Sequence, residues 1–232
     1  MGPTLLIALC LWSQVLTVTP LNQEQVGRVT NYIEQTIFKG LQDQYAYFVK
    51  FTAKECNKDK GLQTSDIKAA LRKDKSAGIR DKVVNKEIYQ GDRMVAASYT
   101  KNETCNVHSE YRLLTSLSDS TGSPISRLLN ITPTAGCVVF FSLNSPCVQT
   151  CTRPGGKYNI IDLLNTVNLP GPDSRAFAYT KVFFWDKQKP EYEVWRNWGT
   201  LNAKMTLLRC SENNCIKCFN NGVKDKKCFK DN

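Results

Sequence analysis

His108 is the only histidine of the chain, and it stands two residues before a carboxylate, Glu110. Further along, Pro146 precedes two cysteines that are four residues apart, Cys147 and Cys151. Imidazole and thiolate are ligands that zinc prefers in proteins, and a catalytic zinc site uses three protein ligands while keeping a fourth position for water. Glu110 is close enough to a candidate ligand to act as a general acid and base toward that water. The pattern therefore predicts a zinc centre with one imidazole and two thiolate ligands, and a glutamate as proton shuttle.

The two motifs support each other through their order and their positions. Both fall at the start of predicted helices, and the strand-like run 137–143 lies between them. Proline at the first helical position costs no hydrogen bond, a helix N-terminus favours a thiolate, and cysteines four apart lie on one face of a helix. The nucleobase-deaminase signature is His-x-Glu followed by Pro-Cys-x-x-Cys, and this chain has one additional residue between the cysteines. The alternative is that Cys147 and Cys151 pair with other cysteines in disulfides.

The N-terminus predicts secretion. Residues 1–19 carry no charged side chain and contain the apolar stretch 5–12. This stretch is shorter than the roughly 20 apolar residues that span a bilayer, and it is typical of a secretory signal peptide. We therefore expect a secreted protein without a membrane span. Two glycosylation sequons, at Asn102 and Asn130, agree with passage through the secretory pathway.

The chain that remains after the signal is strongly basic. It carries all 31 Lys and Arg and all 21 Asp and Glu side chains, for a formal net charge of +10. Such a field attracts polyanions, namely nucleic acid, anionic glycans or a bacterial surface. The Lys-rich stretches 54–60 and 224–230 are equally typical of solvated faces or tails. The length of 232 residues predicts one packed domain with additions.

The cysteines predict disulfides. Cys10 lies in the predicted signal, which leaves nine of the ten cysteines, and most of these are expected to pair in an oxidising compartment. If two bind metal, the remaining number is odd. Cys137 is the candidate for the free thiol because it begins an apolar run, and Cys56 is assigned to Cys105 by elimination. The tail favours two disulfides over a structural zinc site. Its cysteines are Cys210, Cys215, Cys218 and Cys228.

Helical and strand patterns alternate along the chain. Apolar residues at helical spacing predict an amphipathic helix over 22–38, and a short helix is predicted at 64–73. The later predicted elements are strands at 82–89 and 94–100 forming a hairpin, a helix at 108–117, a strand at 137–143, a turn of helix after Pro146, a helix at 158–167, a strand at 174–186, a helix at 191–203 and a strand at 205–209. A loop is predicted between 117 and 134.

This order, β-β-α-β-α-β-α-β, predicts an α/β fold, with a layered sandwich built on a mixed sheet of about five strands. An extra N-terminal helix and a Cys-rich tail are added to it. The predicted divisions are a signal peptide at 1–19, an N-terminal helical extension at 20–81, the main domain at 82–209 and a Cys-rich basic tail at 210–232.

The segment 82–209 resembles the cytidine deaminase superfamily, and more particularly its AID/APOBEC-like members. The matching pieces are the hairpin, the run His108-Ser-Glu-Tyr-Arg-Leu-Leu, the run 138–147 that ends in Pro-Cys, and the run 176–186. The resemblance implies a three-layer cytidine-deaminase-like sandwich, a bound Zn²⁺ ion and hydrolytic deamination. It also implies that Phe184, Trp185 and Asp186 contact the target base or its neighbour, with ordinary packing at a strand end as the alternative.

The sequence therefore predicts a zinc-dependent deaminase that acts on cytosine in single-stranded nucleic acid or in a nucleoside. The alternative is a secreted, non-enzymatic defence or binding protein that uses a deaminase scaffold and its basic surface to bind polyanions. Glu110 favours the enzyme, because a binding scaffold does not need a proton shuttle. A third reading is a disulfide-linked module without metal, in which both motif cysteines are cystines.

Overall fold

A computed structural model of the chain describes residues 20–57, 61–101, 106–116, 122–212 and 214–230. The predicted signal peptide at 1–19, the sequon residue Asn102 and Cys105 lie outside the described residues. Within the described ranges, none of the helices combines the length and the apolar character needed to cross a membrane.

Among the described residues, a central mixed sheet of seven strands organises the fold, in the order β2-β3-β1-β6-β7-β8-β9. Its strands are β1 Tyr45–Phe51, β2 Ile88–Gln90, β3 Met94–Ser98, β6 Cys137–Asn144, β7 Arg175–Lys181, β8 Thr206–Ser211 and β9 Asn214–Lys217. Two small ribbons are formed by β4 Thr100–Lys101 with β5 Asn106–Val107, and by β10 Phe219–Asn220 with β11 Val223–Lys224. Strands β6, β7 and β8 are parallel, whereas β1 is antiparallel to both β3 and β6.

Helices cover both faces of this sheet, which gives the three layers that the sequence predicts. The helices are α1 Gln23–Thr36, α2 Ala53–Cys56, α3 Thr64–Ala70, α4 Ser76–Val84, α5 Ser109–Leu114, α6 Pro124–Asn130, α7 Ile160–Asn165 and α8 Glu191–Asn202. Apolar residues of α1, α3 and α4 form one buried core with one face of the sheet, and those of α5 to α8 form a second core with the other face. Alternate residues of β1 enter the two cores, because successive side chains of a strand point to opposite faces.

The N-terminal segment contributes more than the predicted helical extension. The predicted helices at 22–38 and 64–73 are present, but β1 lies between them and occupies the middle of the sheet. All seven residues of β1 are buried, including Lys50. The Lys50 ammonium is satisfied there by donating to the carbonyl oxygens of Leu128, at 2.7 Å, and Ile131, at the end of α6. The sequence analysis did not predict β1, because Lys50 interrupts the apolar run that is typical of a strand buried on both faces.

Other element boundaries also differ from the predictions, and the predicted strand at 174–186, for example, ends at Lys181. The strand predicted at 82–89 is shorter, because α4 continues to Val84 and leaves only β2 to pair with β3. The loop predicted between 117 and 134 contains α6, whose first turn is capped by Ser123, with Pro124 at the first helical position. The sheet has seven strands rather than about five because of β1 and of β9, which extends it at the tail end.

The prediction that Cys137 is a free thiol is wrong, and so is the pairing of Cys56 with Cys105. Cys137 forms a disulfide with Cys56, which links the first residue of β6 to α2. The two segments can meet because Gly136 has no side chain: a Cβ there would lie 2.2 Å from the backbone nitrogen of Ala53. The two disulfides predicted in the tail are present, as Cys210–Cys215 and Cys218–Cys228.

The parallel arrangement of β6 and β7 decides where the motifs lie. Both strands end at the same edge of the sheet, and the backbone N–H of Ser145 donates to the carbonyl of Lys181 at 2.7 Å across that edge. The segment that carries Cys147 follows β6 directly, and Phe184 follows β7. Both loops therefore start from one edge of the sheet, where open α/β sheets place their ligand sites.

Candidate active site

His108 is held at the N-cap of α5. Its backbone is extended, and its carbonyl oxygen accepts the hydrogen bond of Arg112, at 3.1 Å, which closes the first turn. The imidazole packs against the ring of Tyr158, with 5.0 Å between the ring centroids. Tyr111, in the first turn of α5, contacts the same tyrosine. The histidine is therefore fixed through both its backbone and its ring.

A single helical turn brings the two motif cysteines together. The backbone N–H groups of Cys151 and Thr152 donate to the carbonyl of Cys147 at 3.0 and 3.1 Å. The predicted turn of helix is thus present as one hydrogen-bonded turn, which does not continue into a regular helix. The two Sγ atoms lie 3.3 Å apart, and both cysteines are buried and free of disulfides. The additional residue between them does not separate the thiols.

The imidazole and the two thiols form a ligand set that fits zinc. The Nδ1 atom of His108 lies 3.0 Å from Sγ of Cys151 and 3.8 Å from Sγ of Cys147. All three ligand atoms lie within 4.8 Å of one another, and no other group of three such side chains does so within the described ranges. Tetrahedral bonds of about 2.3 Å to sulfur and about 2.0 Å to nitrogen separate neighbouring ligand atoms by roughly 3.5–3.8 Å. The donors and their spacing therefore suit this ion.

The electrostatics of the cluster favour one thiolate. Hydrogen bonding from Cys151, supported by His108, lowers the pKa of Cys147 to about 3 although burial opposes this. The same contact with Cys147, together with burial, raises the pKa of Cys151. Burial of His108 disfavours its charged form, but the hydrogen bond with Cys147 and the charges of Glu110 and Cys147 outweigh burial and raise its pKa. A thiolate is the form in which cysteine binds a metal.

Glu110 is buried beside this cluster, with 2% of its surface exposed, and both of its carboxylate oxygens are hydrogen-bonded. The Ser109 hydroxyl donates to Oε2 at 3.0 Å, and the Ser142 hydroxyl donates to Oε1 at 2.7 Å. Both hydroxyls also accept from Nε2 of Gln44, at 3.3 and 2.8 Å. The sequence motifs did not indicate Gln44 or Ser142, because they are far from Glu110 along the chain and belong to neither motif.

A cavity of about 210 Å³ opens onto the cluster. It is lined by Gln44, Tyr99, Asn106, His108, Glu110, Asn144, Ser145, Cys147 and Phe183. Its volume is below the 300 Å³ or so at which sites for drug-sized ligands begin. The cavity therefore suits a group of the size of a single ring, next to both the candidate ligands and the candidate proton shuttle.

The aromatic loop after β7 divides into an exposed and a buried part. Phe184 and Trp185 are each 60% exposed, and their rings meet edge to face with 5.1 Å between centroids. Asp186 is fully buried, and its carboxylate accepts from the backbone N–H of Val148 at 3.1 and 3.3 Å. Burial and the charge of Cys147 raise the pKa of Asp186 to about 7, although this hydrogen bond opposes them. Asp186 thus lies under the cysteine turn, whereas the two aromatic rings face solvent.

Comparison with known proteins identifies a family. The family model described as Secreted Novel AID/APOBEC-like Deaminase 2 (SNAD2) matches residues 26–228. The matched range contains both motifs, and it also includes β1 and most of the cysteine-rich tail. Neither the curated proteins nor the solved structures provide a significant match.

Proposed function

The chain belongs to the Secreted Novel AID/APOBEC-like Deaminase 2 family, and from that premise we propose that it is a zinc-dependent hydrolytic deaminase acting on cytosine. His108, Cys147 and Cys151 would hold the zinc ion. The observation that carries the proposal is the meeting of these three ligand atoms beside the buried carboxylate of Glu110, at the base of a cavity of ring size.

The bound ion would act as a Lewis acid that lowers the pKa of water and so supplies a nucleophile near neutral pH. Glu110 then moves the protons. Its carboxylate takes a proton from the water as the new bond to ring carbon C4 forms, and it passes that proton to the adjacent ring nitrogen. It next takes the remaining water-derived proton from the hydroxyl group on C4 and transfers it to the exocyclic nitrogen as the C4–N bond breaks, so that ammonia leaves and the oxygen stays as the C4 carbonyl. Water supplies every atom that is added, and no oxidant or reductant is needed.

The substrate that we propose is cytosine in a single-stranded nucleic acid. The small cavity accepts one base out of its stack, and unstacked bases are the substrates of nucleobase deaminases. Phe184 and Trp185 offer exposed rings on which a neighbouring base can stack. Arg153 and Arg196 line a second groove, together with the carboxylate of Glu193, and neither guanidinium has a partner among the described residues. The net charge of +10 adds long-range attraction for phosphates.

Secretion and glycosylation are part of the proposal. The family is named as secreted, and the chain holds three disulfides within the described residues, as proteins of oxidising compartments do. We propose residues 1–19 as the signal peptide and Asn102 and Asn130 as glycosylation sites. Asn130 lies exposed at the end of α6.

The test is to express residues 20–232 through a secretory route and to measure bound zinc, followed by deamination of single-stranded DNA, single-stranded RNA and cytidine. Glu110→Gln is the matched variant, because it keeps the shape and removes the carboxylate. We expect one zinc per chain in both proteins and deamination only by the wild type. Stoichiometric zinc without deamination would refute the enzyme and favour the binding protein on a deaminase scaffold. A disulfide that includes Cys147 in the purified protein, with no zinc, would refute both.

A further inference from the structure

Gln44 stands at the centre of the hydrogen bonds that hold the candidate proton shuttle. We infer that Gln44 is a positioning residue for Glu110, which it orients through the hydroxyls of Ser109 and Ser142. The inference rests on the proposed function, because it assigns a role within that reaction. Gln44 lies outside the two motifs and immediately precedes β1, in the segment for which the sequence predicted only a helical extension.

The amide of Gln44 has a single orientation that satisfies its neighbours. Its Oε1 atom accepts from the backbone N–H of Asn144 at 3.0 Å, and this N–H can only donate. The carbonyl end of the amide therefore faces the backbone N–H of Asn144, and the NH₂ end faces the hydroxyls of Ser109 and Ser142. The NH₂ group can only donate, so the hydroxyls of Ser109 and Ser142 must accept from it.

The direction of these bonds determines which hydrogen bonds the carboxylate of Glu110 accepts. A hydroxyl that accepts from Gln44 keeps its own hydrogen for another acceptor. For Ser142 that acceptor is Oε1 of Glu110, and for Ser109 it is Oε2. Each carboxylate oxygen thus receives one hydrogen bond whose direction is set by the same amide. The arrangement fixes the rotation of the carboxylate relative to the cavity.

The backbone gives Gln44 a firm base. Its carbonyl oxygen accepts from the N–H of Tyr99 at 3.2 Å, next to the register pair of Tyr45 with Ser98. Its main chain is therefore tied to the β3 side of the site, and its side chain is tied to β6 through Asn144. Such anchoring on two strands is what a preorganised site requires, because a shift of about 1 Å at a reacting group costs on the order of 100-fold in rate.

Two substitutions distinguish whether Gln44 orients the serine hydroxyls or only fills the space beside them. Gln44→Ala removes the amide and leaves both hydroxyls free to rotate. Gln44→Glu keeps the size but replaces the NH₂ donor with a second acceptor, so the serine hydroxyls can turn toward residue 44 and away from Glu110. We expect kcat to fall by roughly 10- to 100-fold in both variants while KM stays within about twofold. Gln35→Ala, at an exposed position on α1, is the control and should leave both constants unchanged.

A cycle of variants tests whether the effect passes through the serines. The zinc-loaded protein is compared as wild type, Gln44→Ala, the double variant Ser109→Ala/Ser142→Ala, and the triple variant. If Gln44 acts only through the hydroxyls, the triple variant has the kcat of the double variant within about twofold. If the kcat effects of Gln44→Ala and of the serine changes multiply in the triple variant, the inference is overturned. A raised KM with an unchanged kcat would also overturn it, because it would make Gln44 a substrate contact.

A spectroscopic readout does not depend on turnover. The side-chain NH₂ resonances of Gln44 are identified by their absence from the ¹⁵N spectrum of Gln44→Ala, and their hydrogen exchange is measured in the wild type and in the serine double variant. We expect slow exchange that becomes fast when the hydroxyls are removed, and fast exchange in the wild type would refute the network. A zinc-loaded wild type that does not deaminate refutes the proposed function and this role together. An active wild type with an unaffected Gln44→Ala refutes this role alone.

Discussion

The disulfide between Cys56 and Cys137 should contribute more to stability than either disulfide of the tail. It joins residues 81 positions apart, whereas Cys218–Cys228 spans 10 and Cys210–Cys215 spans 5. Loop-closure entropy in the unfolded chain gives about 4.5, 2.7 and 2.1 kcal/mol, respectively, for these separations at 25 °C. All six cysteines are at most 3% exposed, so the cost of burying alanine in their place is similar in each pair and largely cancels in the comparison.

The assay is urea unfolding of three double-alanine variants, one for each disulfide, beside the wild type. We expect the free energy of unfolding to fall most for the Cys56→Ala/Cys137→Ala variant, by about 2 kcal/mol more than for either tail variant. Zinc content should be measured in parallel, because β6 begins at Cys137 and leads directly into the cysteine turn. A loss for the Cys210→Ala/Cys215→Ala variant equal to or larger than that for Cys56→Ala/Cys137→Ala would refute the argument from loop length.

Two further predictions concern charge and the substrate surface. Burial raises the pKa of Glu34 from 4.5 to about 7, so the native state holds this proton at a pH where the unfolded chain has released it. The free energy of unfolding should therefore fall as the pH rises from about 4.5 to 7, by up to about 3 kcal/mol. Urea unfolding of wild type and Glu34→Gln at pH 5 and pH 8 should show this fall only in the wild type. An equal fall in both proteins would contradict the raised pKa of Glu34. For nucleic acid, binding of single-stranded DNA is measured in the Glu110→Gln protein. Phe184→Ala/Trp185→Ala should weaken this binding by about 1–3 kcal/mol per stacked base and leave the slope of log K against log salt unchanged. Arg153→Ala/Arg196→Ala should instead reduce that slope by about 1.4. Fluorescence anisotropy at several salt concentrations measures both, and an unchanged slope in the arginine variant would exclude these residues as phosphate contacts.

The residues that the sequence assigned to zinc meet in the fold because their positions obey local rules. His108 occupies an N-cap, and the two cysteines occupy one turn that starts after a buried strand. Capping, turn spacing and the apolar run of β6 can all be recognised within a few residues of each motif. The family match agrees with this, since it covers both motifs. Short-range patterns were therefore sufficient to predict that these three side chains meet, in a cluster that could hold a metal ion.

The errors arose where long-range contacts decide the outcome. The apolar neighbours of Cys137 suggested a buried free thiol, but its disulfide partner Cys56 lies on a helix 81 residues away in sequence. The two segments can approach because Gly136 has no side chain. The sequence also did not reveal that the buried carboxylate of Asp186 accepts from the N–H of Val148, while the contact of Asp186 with the target base stays a prediction. Neither contact leaves a periodic pattern in the sequence, because each depends on which segments meet across the sheet.

The strand β1 connects the short motifs with the long-range contacts of the sheet. Its burial on both faces gives the sheet its centre, and Gln44, immediately before it, reaches the hydroxyls around Glu110. A chain cut at the predicted boundary of residue 82 would keep all three candidate ligands and the glutamate but would lose both the central strand and the amide that orients the carboxylate. The candidate ligands can be recognised from two short motifs, whereas the direction in which the candidate proton shuttle points depends, in our proposal, on a residue that only the complete sheet brings near.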